Sequence, residues 1–311
     1  MNSSEIWVLA DDRPGNVSQA LGVAEALGLP FTVKTIRYNL WGKLHNAMRA
    51  GSRRGLEHWS RKAIEAPPPP DLVIAAGRRT APLARWLKRR YGARLVQMMD
   101  PGWPGRERFD LIAVPMHDAL PDAANVMRTL GACHRATPDL LAAEAARWQE
   151  RLPDLPRPWT VVAVGGSTAS RRFTAADARA LTESCRALPG SLLVVTSRRT
   201  GAEAEAALDG DWMHRWQAGE DSPYLALLAL ADRIVVTGDS MSMCCEACGN
   251  GGPVHIYGPD HLVEPKHALL HQALYRGGYA RPFGADPSPW RHPPLNASGA
   301  VAEEIRRRGW I

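Results

Sequence analysis

The sequence predicts an α/β protein made of two similar parallel-sheet halves. Three observations carry this. Short apolar runs of strand length recur along the chain, segments of helix length lie between them, and the alternation stops at a proline-rich stretch and then restarts. With 311 residues, 45% of them hydrophobic, the chain can bury more than one core, since domains usually hold roughly 100–200 residues.

In the first half, "IWVLA", "FTVKTI", "DLVIAA", "RLVQMM" and "DLIAVP" read as buried strands, with "VSQALGVAEALG" and "APLARWLKRRYG" as helices between them. A charged helical segment, "LLAAEAARWQERL", leads into "PDLPRPW", whose prolines remove backbone donors and disfavour regular structure. This places the boundary between residues 1–150 and 151–311. The second half restarts with "TVVAVGG", a helix near Ala175 to Leu188, "SLLVVTS", a helix near Pro223 to Leu230, "DRIVVTG" and "PVHIYG". Each half is thus Rossmann-like. A closing helical segment, "SGAVAEEIRRRGW", is free to pack back on the N-terminal half.

The formal charge of +6, carried largely by arginine, favours an anionic partner such as a phosphate ligand, a nucleic acid or a lipid surface. No recognisable nucleic-acid-binding module accompanies the charge, so nucleic acid is not expected. The start, "MNSSEIWVLADD", lacks a signal-peptide pattern, and the longest apolar stretch, "LALLALADRIVV", is interrupted by Asp232 and Arg233. The expectation is a cytoplasmic protein without a membrane span. Five cysteines at irregular spacing argue for reduced thiols rather than a disulfide framework.

Two such halves place their ligand crevice at the carboxyl ends of the strands, facing each other across a cleft. The loops there combine glycine, hydroxyl and arginine residues, which present backbone N–H groups and positive charge to an anion. "VAVGGSTASRRF" offers Gly165, Gly166 and Ser167 for close backbone approach, followed by Arg171 and Arg172. "TSRRT" offers Thr196, Ser197, Arg198 and Arg199. Neither loop is G-x-G-x-x-G or a P-loop, so nicotinamide and Walker-type nucleotide readings lose their usual support. The plain alternative for both is a turn with solvated arginines.

In "GDSMSMCCEACG", Ser240 caps a helix on which Met241, Cys244, Cys245 and Cys248 form one apolar stripe, while Ser242 and Glu246 share another face directed to the cleft. The cysteines read as small core residues. A zinc site would need a second CxxC or a histidine pair at matching spacing, so no metal is expected. The same stretch approaches a G-x-S-x-G nucleophile elbow at Ser240, with His255, His261 and His267 downstream, but Ser242 crowds the place of the second glycine.

The first half offers Asp11, Asp12, Arg13, Gly15, Asn16 and Gln19 after its first strand, and Arg78 and Arg79 in "GRRTAP". Asp100, His117 and Asp118 also end strands, and a general base is expected among such groups. For each, a cap or turn role is the plain alternative. "DGD" at Asp209 to Asp211 mimics a metal-binding DxD motif but reads better as a turn. "YNLWGKLHNAMRAGSRRGLEHWSRK" mixes Trp41, Leu44, Met48, Leu56 and Trp59 with Lys43, Arg49, Arg53, Arg54, Arg61 and Lys62. It reads either as a core-packed helix pair with a solvated basic face or as a segment that lies on an anionic bilayer.

Taken together, "DDRPGNVSQALGVAEALG", "GRRTAPLARWLK", "FDLIAVPMHD", "GGSTASRRFT", "VTSRRT" and "ADRIVVTGDSMSMCCEAC" resemble the elongated-mitochondria fission protein family over most of the chain. The resemblance implies a GT-B glycosyltransferase-like architecture. Plant members of the family are associated with mitochondrial fission, and bacterial members are described as nucleotide-sugar enzymes. The region from Ala231 to Tyr257 also resembles the donor site of the lipid-linked N-acetylglucosamine transferases of peptidoglycan synthesis. That implies Glu246 on ribose hydroxyls and Ser240 and Ser242 near a diphosphate. Asp239 departs from the pattern, because a negative charge beside a diphosphate is unfavourable unless it points away.

The resulting expectation is a metal-independent glycosyltransferase with no cofactor. Its donor is a nucleoside-diphosphate sugar bound by the second half, and its acceptor is a lipid-linked molecule or a saccharide. Gly15, Asn16, Gln19, Arg78 and Arg79 fall on the acceptor side, and Asp12, His117 or Asp118 acts as base. The rivals are a non-catalytic adaptor docking to the inner face of a membrane and a serine hydrolase using Ser240.

Overall fold

A computed structural model describes residues 4–311 except His45, Ala50 and Pro287; the side chains of Lys43 and Ala47 also lie outside the described residues. The chain divides into unit 1, Met1–Arg135 with Asn296–Ile311, and unit 2, Ala136–Leu295. The division therefore falls ahead of the helix that the sequence reading assigned to the first half, and not at the proline-rich stretch. The reason is tertiary: α5 (Pro138–Trp148) packs against α8 (Tyr224–Leu230), and Arg147 on it pairs with Asp221.

Unit 1 holds β1 (Ile6–Ala10), β2 (Thr32–Thr35), β3 (Leu72–Ala76), β4 (Arg94–Met98), β5 (Leu111–Pro115) and β6 (Val126–Thr129), all parallel in the order β2-β1-β3-β4-β5-β6. Side chains alternate faces along each strand, so both faces must be covered. Ile6, Val8, Ile74 and Val96 meet α1 (Pro14–Ala26) and α11 (Ala297–Arg307) through Ala20, Val23, Val301 and Ile305. Trp7, Leu9, Val73 and Leu95 meet Ile64 of α3 (His58–Glu65) and Leu83 and Leu87 of α4 (Gly77–Tyr91). A short helix, α2 (Asn46–Arg49), precedes α3.

The closing helix is thus part of unit 1. Ser298 Oγ accepts from His134 N at 2.9 Å and donates to His134 O at 2.7 Å, and the helix is capped by Asn296, whose Oδ1 accepts from Gly299 N.

Unit 2 holds β7 (Trp159–Ala163), β8 (Ser191–Val195), β9 (Trp212–His214), β10 (Arg233–Thr237), β11 (Val254–Tyr257) and β12 (Arg281–Pro282), all parallel in the order β12-β11-β10-β7-β8-β9. Its remaining helices are α6 (Ala175–Arg186), α7 (Ala202–Ala206), α9 (Met241–Ala247) and α10 (Pro265–Arg276). α6 opens with a capping box, Thr174 and Asp177 each accepting from the other's backbone N–H.

The basic amphipathic segment resolves into different environments. Leu56 is core, whereas Trp41, Met48 and Trp59 are exposed. Arg49 is not on a solvated face but buried over the Tyr38 ring, with Nη1 donating to Arg79 O at 3.1 Å. Among the described residues no helix is long and apolar enough to cross a membrane.

Candidate functional site

In unit 2, β8 and β9 run outward from one side of β7, while β10, β11 and β12 run outward from the other. The loops leaving β7 and β10 therefore part company, which opens a crevice at their carboxyl ends. Two glycines occupy it. Gly165 N donates to Thr237 Oγ1 at 2.8 Å, and a Cβ at Gly165 would collide with the Asp239 carboxylate. Gly166 has φ +122°, and a Cβ there would strike the Arg199 carbonyl. Both positions must lack a side chain, so bare backbone faces the crevice.

The β7, β8 and β10 loops are tied together at this point. Ser167 N donates to Arg199 O at 3.0 Å, Ser197 Oγ donates to Gly165 O, and Thr200 Oγ1 donates to Val164 O at 3.2 Å. Arg199 Nη1 donates to Ser167 O at 3.2 Å, and its Nη2 lies 2.8 Å from Asp239 Oδ2, close but not aligned as a hydrogen bond. Asp239 is only 4% exposed. Burial pushes its pKa up, while Arg199, the Thr237 hydroxyl and the Gly166 amide pull it down.

Of the expected arginines, Arg199 is the one fixed by this ion pair; Arg198 and Arg172 are exposed, and Arg171 is half-buried. Thr196 is a structural residue, since its hydroxyl donates to Glu205 and accepts from Trp216 N, both at 2.8 Å. Ser167 Oγ accepts from Phe173 N at 3.1 Å, which closes the loop after β7. Ser240 caps α9 as read from sequence, accepting from Met243 N, and Met241 and Ser242 are half-buried beside it. Glu246 Oε2 accepts from Tyr224 Oη at 2.9 Å. Burial, with Glu246 adjacent, holds the Tyr224 phenol far above its ordinary pKa, so it remains a donor.

Cys244, Cys245 and Cys248 are fully buried, and burial drives the Cys244 and Cys248 thiols up, away from thiolate. Among the described residues no three His, Cys, Asp or Glu side chains gather as a metal-binding group. Asp209 and Asp211 of "DGD" both pair with Arg186 in a loop.

Glu264 and His267 enter from the loop after β11 and from α10; the sequence reading gave Glu264 no place and His267 only that of a downstream base for the Ser240 elbow. Glu264 Oε1 accepts from Thr168 Oγ1 at 3.0 Å and from Ser170 Oγ at 2.7 Å. His267, its pKa lowered by burial, lies within electrostatic reach of Glu264, Asp239 and Arg199. The Glu-Pro pair that opens α10 was a legible helix start, but its partners nearly a hundred residues upstream were not.

In unit 1 the loops part between β1 and β3. There Asn16 Nδ2 donates to Asp11 Oδ2 at 3.2 Å, and Gly77, at φ +74°, has Asn16 where a Cβ would stand. Asp12 pairs with Arg79, which lowers the carboxyl's pKa. Gly15 lies in the first turn of α1. Gln19 is buried, its Nε2 donating to Met99 Sδ at 3.6 Å, and Arg78 is exposed with its stem against Gly102. His117 and Asp118 follow β5, three strands from β1, a separation of about 14 Å at the sheet edge. The three expected base residues are therefore split between two places.

A profile of the family described as Mitochondrial fission ELM1 matches residues 14–309. The Arabidopsis thaliana mitochondrial fission protein ELM1 is 31% identical over 296 residues, 83% of this chain and 69% of that protein. Among solved structures, Acinetobacter baumannii MurG superposes with a TM-score of 0.52 at 14% identity, covering 98% of this chain and 99% of its own. A Neisseria meningitidis UDP-GlcNAc 2-epimerase bound to UDP-GlcNAc gives a TM-score of 0.51 at 12% identity, covering 98% and 92%. At these identities the likeness establishes the fold, two Rossmann-like units of the GT-B type.

Proposed function

The chain belongs to the mitochondrial fission ELM1 family, and from that premise and the geometry of unit 2 we propose that it transfers a sugar from a nucleoside-diphosphate sugar to an acceptor hydroxyl. The observation that carries this reading is the β7/β10 crevice, where the bare backbone of Gly165 and Gly166 adjoins an arginine locked by a buried carboxylate. A switch point of this kind is where open α/β sheets bind nucleotides. A structure with the same fold is bound to UDP-GlcNAc.

The diphosphate lies over Gly165, Gly166 and Ser167, and Arg199 meets its oxygens. Asp239 and Ser167 O occupy part of the guanidinium, which leaves further N–H donors in a fixed direction. Those donors stabilise negative charge as it develops on the leaving diphosphate. Arg171, Arg172 and Arg198 add to the field from the same loops. Glu246, oriented by Tyr224, takes the ribose hydroxyls. Asp12 is held by Arg79 with its pKa depressed and is a poor proton acceptor, so the base role passes to His117 and Asp118.

Calorimetric titration with UDP, GDP, CDP and ADP tests this. Selective binding of one nucleotide, weakened at least about tenfold by Arg199→Ala through loss of a charge-assisted contact, supports the reading. A folded protein that binds none of the four sinks it.

A second reading, docking of unit 1 on an anionic bilayer, is favoured by exposed Leu40, Trp41, Met48 and Trp59 in a segment rich in arginine. It is compatible with a lipid-linked acceptor. Cosedimentation with anionic vesicles, lost in a Trp41→Ser/Trp59→Ser variant, is the expected result; retention in that variant removes the reading.

A further inference from the structure

Unit 1 carries a second concentration of positive charge, on the opposite flank of α4 from the sheet. Arg85, Lys88 and Arg89 stand at i, i+3 and i+4 and so share one helix face. With Gly105, Glu107 and Arg108, they line a cavity of about 520 Å³, a volume typical of small-molecule sites. Four cationic side chains meet one carboxylate there.

The charges are unequally satisfied. Lys88 Nζ lies 2.6 Å from Asp110 Oδ2, and Arg89 donates to Gly51 O. Arg108 Nε stands 3.6 Å from Glu107 Oε1, and both of these side chains are largely in solvent. Arg85 differs from all three. It is 8% exposed, its Nη1 donates to Pro104 O, and its Nε and Nη2 have no hydrogen-bond partner. Burial weakens its hold on the proton; Glu107 opposes that, while Arg89, Arg49 and Arg108 add to it.

A buried guanidinium with two unused donors and cationic neighbours is costly unless a counter-ion arrives. The loop after β4 is shaped around it as well. Gly105 has φ +101°, and a Cβ there would collide with the Arg85 guanidinium, so the loop closes on this arginine only as glycine. The cavity, the unsatisfied donors and the fitted glycine are independent features of one place.

We propose that this cavity is an anion site of unit 1 that takes a phosphate-bearing group, with Arg85 as the central donor and Lys88, Arg89 and Arg108 around it. A tetrahedral phosphate offers several acceptor oxygens, which suits a planar guanidinium with two free N–H directions and flanking cations. The site is separate from the β7/β10 crevice and does not depend on what that crevice binds.

The test is titration with inorganic phosphate against chloride at matched ionic strength, on the wild type, Arg85→Met, Arg108→Ala, Arg199→Ala and Arg85→Met combined with Arg199→Ala. The expected result is phosphate binding that persists in Arg199→Ala, where the β7/β10 crevice no longer contributes, that Arg108→Ala weakens about five- to tenfold, and that Arg85→Met combined with Arg199→Ala abolishes. Arg108 is exposed, so its variant keeps the test valid should Arg85→Met fail to fold. Cosedimentation with phosphatidate-containing and pure phosphatidylcholine vesicles distinguishes the source of the phosphate. Binding to the former alone, competed by free phosphate and weakened in Arg108→Ala, assigns a lipid headgroup; phosphate binding without vesicle binding assigns a soluble ligand. Absence of any phosphate effect over chloride, or binding abolished by Arg199→Ala and indifferent to Arg108→Ala, overturns the proposal.

Discussion

Arg199 Nη2 lies 2.8 Å from Asp239 Oδ2, and the two ends of this pair are unequally placed, the carboxylate 3% exposed and the guanidinium 33%. Removing the arginine strands a charge in the interior, whereas removing the carboxylate leaves an arginine that still reaches water. Arg199→Ala should destabilise the protein by about 1–3 kcal/mol, less than a fully buried pair because Arg199 is partly solvated, and by more than Asp239→Asn does. Urea denaturation of the two variants decides this.

The same pair sets a pH dependence. Asp239 titrates above its ordinary 3.8 in the folded protein, so between that value and its folded pKa the native state binds more protons than the unfolded one. Stability from this group therefore falls as pH rises through that window, and losing Arg199 widens the window upward. Arg199→Ala should be closest to the wild type in acid and fall behind as pH increases, a trend that Asp239→Asn lacks. Denaturation curves across pH would show parallel loss at all pH values if Asp239 were not the cause.

At Gly166, alanine requires an unfavourable backbone at φ +122° as well as space taken by the Arg199 carbonyl. Gly166→Ala should cost about 1–3 kcal/mol and weaken nucleotide binding together with stability. Gly28, also at positive φ, meets nothing near a Cβ, so Gly28→Ala should register backbone strain alone and leave nucleotide affinity intact.

Tyr224→Phe removes the donor to Glu246 without changing ring volume. The expected effect is a loss of about 1 kcal/mol in stability and a several-fold weaker nucleotide affinity, smaller than the effect of Glu246→Ala. Equal nucleotide affinity in wild type and Tyr224→Phe, with Glu246→Ala impaired, would mean that Tyr224 does not orient the carboxylate.

Ser298→Ala leaves His134 N and O without the hydroxyl that satisfies both, in a fully buried position. The expected cost is about 2–4 kcal/mol, read by urea denaturation. A loss below about 0.5 kcal/mol would show that α11 is not anchored there.

The sheets were legible because "IWVLA", "LVIAA", "TVVA" and "RIVVT" are buried on both faces, which leaves a continuous apolar signature. β6, β9 and β12 were not, being short edge strands whose half-exposed residues carry no such signal; β2, also at an edge, was read from its β-branched run but as a buried strand, whereas Thr32, Val33 and Thr35 are exposed. The cysteine stripe of α9 was legible from helical spacing. Asp239 was not, since the local sequence shows a carboxylate beside a glycine turn but cannot show that Arg199, forty residues upstream, lies against it. Arg49 misleads in the same way, since it sits in a run read as having a solvated basic face, yet tertiary packing buries it, and nothing in the helix segment "APLARWLKRRYG" marks Arg85 as buried either.

Unit 1 is interrupted by the whole of unit 2, because its last helix is encoded after Leu295. As the ribosome delivers the chain from its N-terminus, Ile6, Val8, Val23 and Ile74 are present long before Val301, Ala302 and Ile305, which complete one face of their core. Unit 2 emerges whole while that face is still open, so the part encoded first is completed last, and the nascent chain carries an uncovered apolar surface until α11 has been made.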